Sequence, residues 1–378
     1  MAVISKMKIM TRDWTELNPE LLHLISKKLG NLSNFIRFRS VCKQWRSAAD
    51  PADPPPQLPW LLYPATLRRE EANTNTDYTL YSLSSNSSSQ IELPITYKGF
   101  RYHNTKEPSI GFILVDQHKQ ILKPPYQLMV PYLFNPLTET KIHLPFTEVK
   151  YYFSLYMGPD NKSNSGMVKS GVHLVVYTIQ NSELEIWSWR SDSNEITKFK
   201  IPFLTFVVGY YKGKIFVYLS ETRETKVFDM TTEAEMNIVI PHPVECLHFN
   251  LFVEAMGDLL AVAYPHPGEG GRDSHQVKVY RLEHTDVFGQ CRWIKLKGIG
   301  ERVLFLGSPA AGFCLSASDF EGLRGNCIYY MRDCKDVNEK DGFRHYNRLL
   351  RYDMENGSSE ELLNCVALSA TWFMPCLS

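Results

Sequence analysis

The stretch DWTELNPELLHLISKKLGNLSNFIRFRSVCKQWRSAAD, from Asp13 to Asp50, is the most informative part of the 378-residue chain. Asn18 can cap the first turn of a helix, and Pro19 follows at a position where the missing N–H costs nothing. The apolar residues of this helix recur with a period near 3.6, so most of them are expected on one face: Leu21, Leu22, Leu24, Ile25 and Leu29. The pattern predicts an amphipathic first helix.

Two shorter helical patterns follow. One carries Phe35 and Phe38, and the other runs from Val41 to Ala49 before Pro51 stops it. Three helices of this length bury too little surface to be stable alone, so the exposed leucines suggest that a partner completes the core. The alternative is a small bundle that simply packs on the rest of the chain.

This head resembles an F-box, the module by which substrate receptors dock on the Skp-type adaptor of cullin-RING ubiquitin ligases. Its ending, R-x-V-C-K-x-W-R, matches the family, whereas Asn18 stands where the family usually has Pro. The resemblance implies an adaptor-binding set made of Leu17, Leu21, Leu22, Ile25, Leu29, Phe35, Arg39, Val41, Cys42 and Trp45. It also implies contact with cullin through the adaptor.

Charge supports a docking role for the head. Residues 1–50 carry nine Lys or Arg against four Asp or Glu, a net of +5, while residues 51–378 carry 32 against 37, a net of −5. A basic head would suit an acidic adaptor. The expected division is a tail at 1–12, the F-box at 13–50, a linker at 51–59 with five prolines, and an all-β domain at 60–378.

The all-β part contains six copies of a strand, a polar turn and a second strand that commonly ends in Pro. The copies begin at Tyr81, Leu133, Trp187, Val227, Val279 and Leu349. Units of about fifty residues with four strands predict a six-bladed β-propeller, with a two-sheet arrangement as the alternative. The run from Ala367 to Leu377 is expected to close the ring against Trp60 to Tyr63.

The propeller region resembles the kelch-like C-terminal domain that accompanies an F-box in a large plant family. The matching runs are LFNPLTETKIHLP from Leu133, WIKLKGIGERVLFLG from Trp293, GNCIYY from Gly325 and the terminal WFMPCL. Together with the head, they cover most of the chain. The expected fold is therefore a small all-α F-box head followed by an all-β, kelch-like propeller.

Composition and motifs point away from several function classes. Formal net charge is zero, which gives no reason to expect nucleic-acid binding, and no apolar run is long enough to span a bilayer. The cluster His242, Cys246 and His248 has no second ligand pair at zinc-like spacing, and PGEGGRD lacks the Lys-Ser or Lys-Thr of a phosphate loop. We expect no cofactor, no metal, no catalytic residue and no membrane contact, and a location in the nucleus, the cytoplasm or both.

Substrate recognition is expected on the loops that join the second and third strands of each unit. The loops considered are Gln117 to Gln127, Gln180 to Glu183, Ser220 to Thr225, Pro265 to His275 and Asp333 to His345. Two of them combine glycine freedom with side chains that can anchor a protein: Arg272, His275, Phe343, Arg344 and His345.

The resulting hypothesis is a non-catalytic receptor that holds an unknown protein substrate near a ubiquitin-conjugating enzyme. Two alternatives stay open at this point. One is a non-degradative scaffold that binds or inhibits a partner such as a kinase, and the other is a propeller enzyme.

Overall fold

The chain forms two compact units, residues 1–57 with 377–378, and residues 58–376. The computed structural model describes residues 14–29, 32–51, 54–55, 57–65, 77–92, 113–120, 127–145, 153–159, 172–180, 183–191, 193–201, 207–230, 232, 234–243, 249–264, 276–284, 291–307, 312–338, 342–366 and 370–375.

The head contains three short helices after a 3-10 turn at Trp14–Glu16. They are α1 (Pro19–Lys27), α2 (Leu32–Ser40) and α3 (Lys43–Ala48). The Asn18 side chain accepts a hydrogen bond from the Glu20 backbone N–H at 2.8 Å, as a helix cap does. Helices α1 and α2 both pack against α3.

The third helix begins later than the sequence pattern predicts. Cys42 is extended, with φ −159° and ψ 175°, and its carbonyl accepts from the Arg46 N–H at 3.0 Å. It is therefore the capping residue of α3, and Val41 lies outside the helix.

The second unit is built from antiparallel β-hairpins. Its strands in chain order are β1 (Trp60–Pro64), β2 (Asp77–Ser82), β3 (Ser87–Glu92), β4 (Ile113–Gln120), β5 (Gln127–Phe134), β6 (Lys141–His143), β7 (Phe153–Pro159), β8 (Val172–Gln180), β9 (Glu183–Arg190), β10 (Ile196–Ile201), β11 (Val208–Tyr211), β12 (Lys214–Leu219), β13 (Glu224–Asp229), β14 (Ala234–Pro241), β15 (Leu251–Ala255), β16 (Asp258–Ala263), β17 (Lys278–His284), β18 (Cys291–Lys295), β19 (Arg302–Leu306), β20 (Gly312–Ser316), β21 (Cys327–Asn338), β22 (Gly342–Asp353), β23 (Ser358–Val366) and β24 (Thr371–Phe373).

These strands form six sheets in the described residues. Sheet 1 has the order β24-β1-β2-β3, sheet 2 β4-β5-β6, sheet 3 β10-β9-β8-β7, sheet 4 β11-β12-β13-β14, sheet 5 β15-β16-β17-β18, and sheet 6 β20-β19-β21-β22-β23. Each of the six sequence repeats forms a hairpin at one edge of a different sheet, for example β2–β3 and β13–β14. The repeat pattern therefore identified real structural units.

Hydrophobic clusters join sheets that are neighbours in the chain. They lie between sheets 1 and 2, 3 and 4, 4 and 5, and 5 and 6. A further cluster joins sheet 6 to sheet 1, so the last sheet packs against the first. Successive sheets that pack face to face and return to the start form a β-propeller.

The number of blades differs from the sequence prediction of six equal units. Five sheets have four or more strands, and sheet 2 has three in the described residues. The structure thus shows five complete blades and one smaller sheet. In the part of the chain that the structure describes, the repeat copy at Leu133 supplies the β5–β6 hairpin, and β4 pairs with β5.

Strand β24 closes the propeller, as the sequence predicts. It pairs with β1 through Trp60↔Phe373, Leu61↔Trp372 and Leu62↔Thr371. The Trp372 indole N–H donates to the Leu306 carbonyl at 3.2 Å, and its ring meets the edge of Phe305 at 5.3 Å. Trp372 is almost fully buried, so this contact anchors the closing strand to sheet 6.

Two of the sequence runs that carry the family resemblance meet at Asn326. Its side-chain oxygen accepts from the Ile299 N–H at 2.7 Å, and its own N–H donates to the Arg302 carbonyl at 3.0 Å. Next to it, a Cβ on Gly325 would lie 2.7 Å from the Gly300 carbonyl oxygen. The close approach requires glycine at 325 and fixes the parallel pairing of β19 with β21.

Candidate functional site

The head exposes a group of large apolar side chains that we call the apolar head surface. Its members are Trp14, Leu21, Leu24, Ile36 and Val41, which are 46–62% exposed. The described residues contain eight exposed large apolar side chains, and five of them belong to this head of fewer than forty residues. Such a concentration marks an interaction surface rather than normal scatter.

Helix α1 presents apolar residues on two faces, whereas the sequence pattern predicts one. Leu22 and Ser26 are buried, while Leu21 and Leu24 are 46% and 62% exposed. At 100° per residue, Leu21 and Leu24 lie 60° apart on the side that faces away from Leu22. One face holds the head together, and the other is available to a partner.

The members of the adaptor-binding set expected from the sequence differ in exposure, and the set as a whole stays a prediction. Leu22 and Phe35 have no exposed surface and belong to the interior of the protein. Leu17, Ile25 and Leu29 are partly buried. Of the predicted set, Leu21 and Val41 are the members that the structure places on the apolar head surface.

The polar and aromatic residues of the R-x-V-C-K-x-W-R motif have internal partners. The Arg39 guanidinium donates to the carbonyls of Ala49 and Arg46 at the end of α3. The Trp45 indole N–H donates to the Trp14 carbonyl at 3.1 Å, and its ring lies 4.5 Å from that of Phe38. Arg39 and Trp45 therefore join elements of the head, and Cys42 caps α3.

Three members of the apolar head surface are absent from the set implied by the sequence: Trp14, Leu24 and Ile36. Leu21 and Leu24 stand three positions apart, so they share a stripe that the core residue Leu22 does not. A helix of nine residues with four leucine or isoleucine side chains has more apolar surface than one narrow core contact needs. That excess is the signal from which Leu24 could have been found.

Basic side chains accompany the apolar head surface. Lys28, Arg37, Lys43 and Arg46 are exposed in the head. The described acidic side chains there are Glu16, Glu20 and Asp50. The head therefore offers apolar contact together with an excess of positive charge, a combination that fits an acidic partner.

In the propeller, the expected substrate loop from Asp333 to His345 is mostly strand. β21 and β22 pair continuously from Cys327↔Asp353 to Asn338↔Gly342. Phe343, Arg344 and His345 are thus positions in β22, paired with Val337, Asp336 and Lys335. The predicted loop is corrected to a β-hairpin whose strands are long.

Part of this hairpin extends beyond its sheet. Strand β19 pairs with β21 only as far as Phe305↔Tyr329, and β23 pairs with β22 only up to Asn347↔Val366. The pairs from Cys334↔Tyr346 to Asn338↔Gly342 have no third strand beside them in the described part of the chain. At about 3.3 Å per residue, this ribbon is about 17 Å long.

The base of the ribbon is held by side chains. Asn347 is buried, and its amide nitrogen lies 3.9 Å from the Met331 sulfur. Arg348 forms an ion pair with Glu361 at 3.3 Å and donates to the Tyr346 hydroxyl at 3.4 Å. Register shifts interrupt the regular β22–β23 pairing at the same level.

The other expected substrate loops are placed as follows. Ser220 to Thr225 covers the turn between β12 and β13 and the start of β13 in sheet 4, and Gln180 and Glu183 are paired at the ends of β8 and β9 in sheet 3. Arg272 and His275, in the loop Pro265 to His275, lie outside the described residues. Of the loop Gln117 to Gln127, residues 117–120 belong to β4, Gln127 begins β5, and residues 121–126 lie outside the described residues.

Within the described residues, the side chains that could bind a metal do not cluster into a site. No cluster of three or more His, Cys, Asp or Glu side chains that could hold a metal occurs there. His242 packs between the rings of Phe249, at 4.4 Å, and Tyr218, at 5.0 Å, whereas Cys246 and His248 fall outside the described segments.

A Cys–His contact is present at the end of the β17–β18 hairpin. Cys291 Sγ lies 3.2 Å from His284 Nδ1. Burial raises the pKa of the Cys291 thiol, which favours the protonated form and opposes a nucleophilic role. Separately, none of the described helices is long and apolar enough to cross a membrane.

Comparisons with known proteins match both units. The F-box domain model matches residues 14–53, and the KIB1-4 beta-propeller model matches residues 80–353. The F-box protein At2g05970 of Arabidopsis thaliana is 25% identical over 406 residues, covering 97% of each chain. The F-box protein SKIP23 of Arabidopsis thaliana is 54% identical over 44 residues, 12% of this chain and 11% of that one.

Among solved structures, TolB from Acinetobacter baumannii matches with a TM-score of 0.43 at 10% identity, covering 88% of this chain and 71% of that chain. The matching propeller family is the KIB1-4 type, and this match does not confirm the kelch-like description expected from the sequence.

Proposed function

The chain belongs to the KIB1-4 β-propeller family and is a plant F-box protein, and from this premise we propose that it is the substrate-recognition subunit of an SCF-type ubiquitin ligase. Its F-box binds a Skp-type adaptor, and through it a cullin. Its propeller binds a target protein. The receptor contributes proximity, because both the substrate and the conjugating enzyme are held in one assembly.

The apolar head surface is the observation that carries this proposal. Side chains such as Leu24 and Trp14, each 62% exposed, are stabilised by contact with a partner that covers them. The internal hydrogen bonds of Arg39 and Trp45 keep this surface in one shape. A preformed docking surface loses little conformational entropy on binding.

For substrate capture, we place the site on the ribbon of β21 and β22 and on the loop from Pro265 to His275. The ribbon carries Phe343, Arg344 and His345, and the loop carries Arg272 and His275. A ribbon without a neighbouring strand presents backbone groups as well as side chains to a partner. Nucleus and cytoplasm are the proposed locations, and a fluorescent fusion tests this.

The adaptor proposal is tested by affinity capture with the intact chain and with a version that lacks residues 1–50. The adaptor and cullin should be retained by the intact chain and lost from the shortened one, whereas substrates should be retained by both. Capture of the adaptor by the shortened chain would contradict the assignment. A partner that binds the propeller but is not ubiquitylated when the adaptor is present would favour the non-degradative scaffold instead.

The substrate site is tested with Arg272, Phe343 and Arg344 replaced together by Ala. Substrate capture and ubiquitylation should be lost, while adaptor binding and the melting temperature stay unchanged. Arg292→Ala is the matched control, because Arg292 is an exposed arginine on β18 whose ion pair with Glu283 is superficial. Capture at the parental rate by the triple variant would move the site to another face of the propeller.

A further inference from the structure

The interface between sheets 4 and 5 is an aromatic cluster. Phe249 lies at its centre, with ring centroids 5.3 Å from Tyr218, 5.2 Å from Trp293 and 5.8 Å from Phe252. Trp293 also stacks on Phe252 at 5.4 Å with the planes only 6° apart. These side chains are buried, so the cluster forms the contact between the two blades.

A hydroxyl group enters this apolar cluster from β13. Thr225 pairs with Tyr218 on one side and with Ile240 on the other. Directly paired residues share a face of the sheet, and both partners belong to the cluster. The Thr225 side chain therefore points into the interface, where it is fully buried.

An indole N–H enters the cluster from the other sheet. Trp293 on β18 pairs with Leu282, which also belongs to the cluster, and it is 7% exposed. Neither Thr225 Oγ1 nor Trp293 Nε1 has a hydrogen-bond partner among the residues that the structure describes. Tyr218 is the cross-strand neighbour of Thr225. The ring of Phe249 contacts both the ring of Tyr218 and that of Trp293.

Two buried polar atoms without protein partners are costly. A buried donor or acceptor that makes no hydrogen bond loses its hydration and gains nothing in exchange. Buried polar groups in folded proteins are satisfied by protein atoms or by internal water, typically with one buried water for every 27 residues or so. The chemistry of the two atoms is matched by water, which donates to and accepts from a hydroxyl and accepts from an indole N–H.

We propose that the interface between sheets 4 and 5 holds internal water, hydrogen-bonded to Thr225 Oγ1 and to Trp293 Nε1. The water supplies a hydrogen-bond partner to a hydroxyl of sheet 4 and to an indole N–H of sheet 5. It is a solvent site built into the propeller and is independent of adaptor or substrate binding.

The direction in which one substitution changes the melting temperature tests the site at Thr225. Thr225→Val keeps the shape and removes the hydroxyl. If the hydroxyl binds water, the full-length variant should melt about 2–4 °C lower, because a hydrogen bond is lost and the water is displaced. If the hydroxyl has no partner, removing it is neutral or raises the melting temperature, and that result overturns the proposal.

Thr79→Val is the matched control, since Thr79 lies on the central strand β2 and is only partly buried. It measures the effect of exchanging Thr for Val in a strand of this protein. The change at Thr225 is compared with this baseline, and a difference of zero or a relative gain in stability counts against the water.

The site at Trp293 is tested by NMR on ¹⁵N-labelled full-length protein. The indole proton of Trp293, assigned by its loss in Trp293→Phe, should show a cross-relaxation peak to water. The Trp372 indole is the internal control, because it is also buried but donates to the Leu306 carbonyl. If the Trp293 indole proton, like that of Trp372, shows no cross-relaxation peak to water, the proposed water is excluded there.

Discussion

Replacing Leu21 and Leu24 together by Ala should weaken adaptor binding without unfolding the head. Complete burial of a leucine side chain is worth about 1.5–3 kcal/mol. The two side chains are 46% and 62% exposed, so the adaptor can bury about half of each. The pair should therefore contribute about 2–3 kcal/mol, which is about 30- to 150-fold in Kd. Isothermal titration calorimetry with the purified adaptor measures this loss directly.

Leu22→Ala separates docking from folding. Leu22 is fully buried, and truncation of a buried leucine costs about 2–5 kcal/mol. A head of three short helices has little stability to spare, so this variant should lose hydrogen-exchange protection in α1 as well as adaptor binding. The Leu21/Leu24 variant should keep that protection.

Ile196→Ala provides the matched surface control, because Ile196 is a 42% exposed apolar residue on the propeller strand β10. It should bind the adaptor like the parent. If the Leu21/Leu24 variant also binds with unchanged Kd, the apolar head surface is not the docking surface, and the reasoning from exposure is refuted.

Three further predictions concern the propeller. Gly209→Ala should lower the midpoint of urea unfolding, because the new Cβ would lie 2.5 Å from Phe252 Cβ. Overpacking of this kind costs about 1–3 kcal/mol of stability. An unchanged midpoint would show that β11 and β15 can separate freely. Deletion of residues 370–378 removes β24 and should cause aggregation through the open edge of β1, so a soluble, cooperatively melting product would argue against closure. Burial raises the pKa of Glu185, but hydrogen bonds from Lys200 and Lys198 outweigh this effect and leave the pKa below its ordinary value. Ionised Glu185 therefore stabilises the folded state at pH values above the ordinary glutamate pKa, and this stabilisation is lost as the pH falls through the lowered pKa. The melting temperature of Glu185→Gln should accordingly depend less on pH in the acidic range than that of the parent.

The sequence predicts the propeller well because its signals are local. Each strand–turn–strand copy needs only its own alternation and its own turn, and these hairpins form as predicted. Sheet 6 is different, since β20 folds back before β21 pairs with β19 in parallel. That pairing depends on Asn326 and on the approach of Gly325 to Gly300, which are contacts between distant positions that a periodic pattern does not contain.

At the candidate site, too, the sequence pattern does not contain the contacts between distant positions. The pattern in α1 reveals which residues are apolar, but it does not reveal which of them the head buries itself. In the fold, where α3 packs against α1, Leu22 is interior and Leu24 is exposed. For Arg39 and Trp45, the sequence gives residue type and spacing, whereas their backbone partners 7 to 31 positions away become visible only in the fold.

The pairing of β24 with β1 has a consequence for synthesis of the protein on the ribosome. Leu62 and Thr371 are partners in sheet 1, but they are separated by about 300 positions of chain. At about 5–20 residues per second, β1 waits at least about 15 seconds before its partner is made. During that interval, the edge of β1 can pair with other nascent chains. Polysome crowding and holdase chaperones should therefore affect the yield of this protein more than its equilibrium stability suggests.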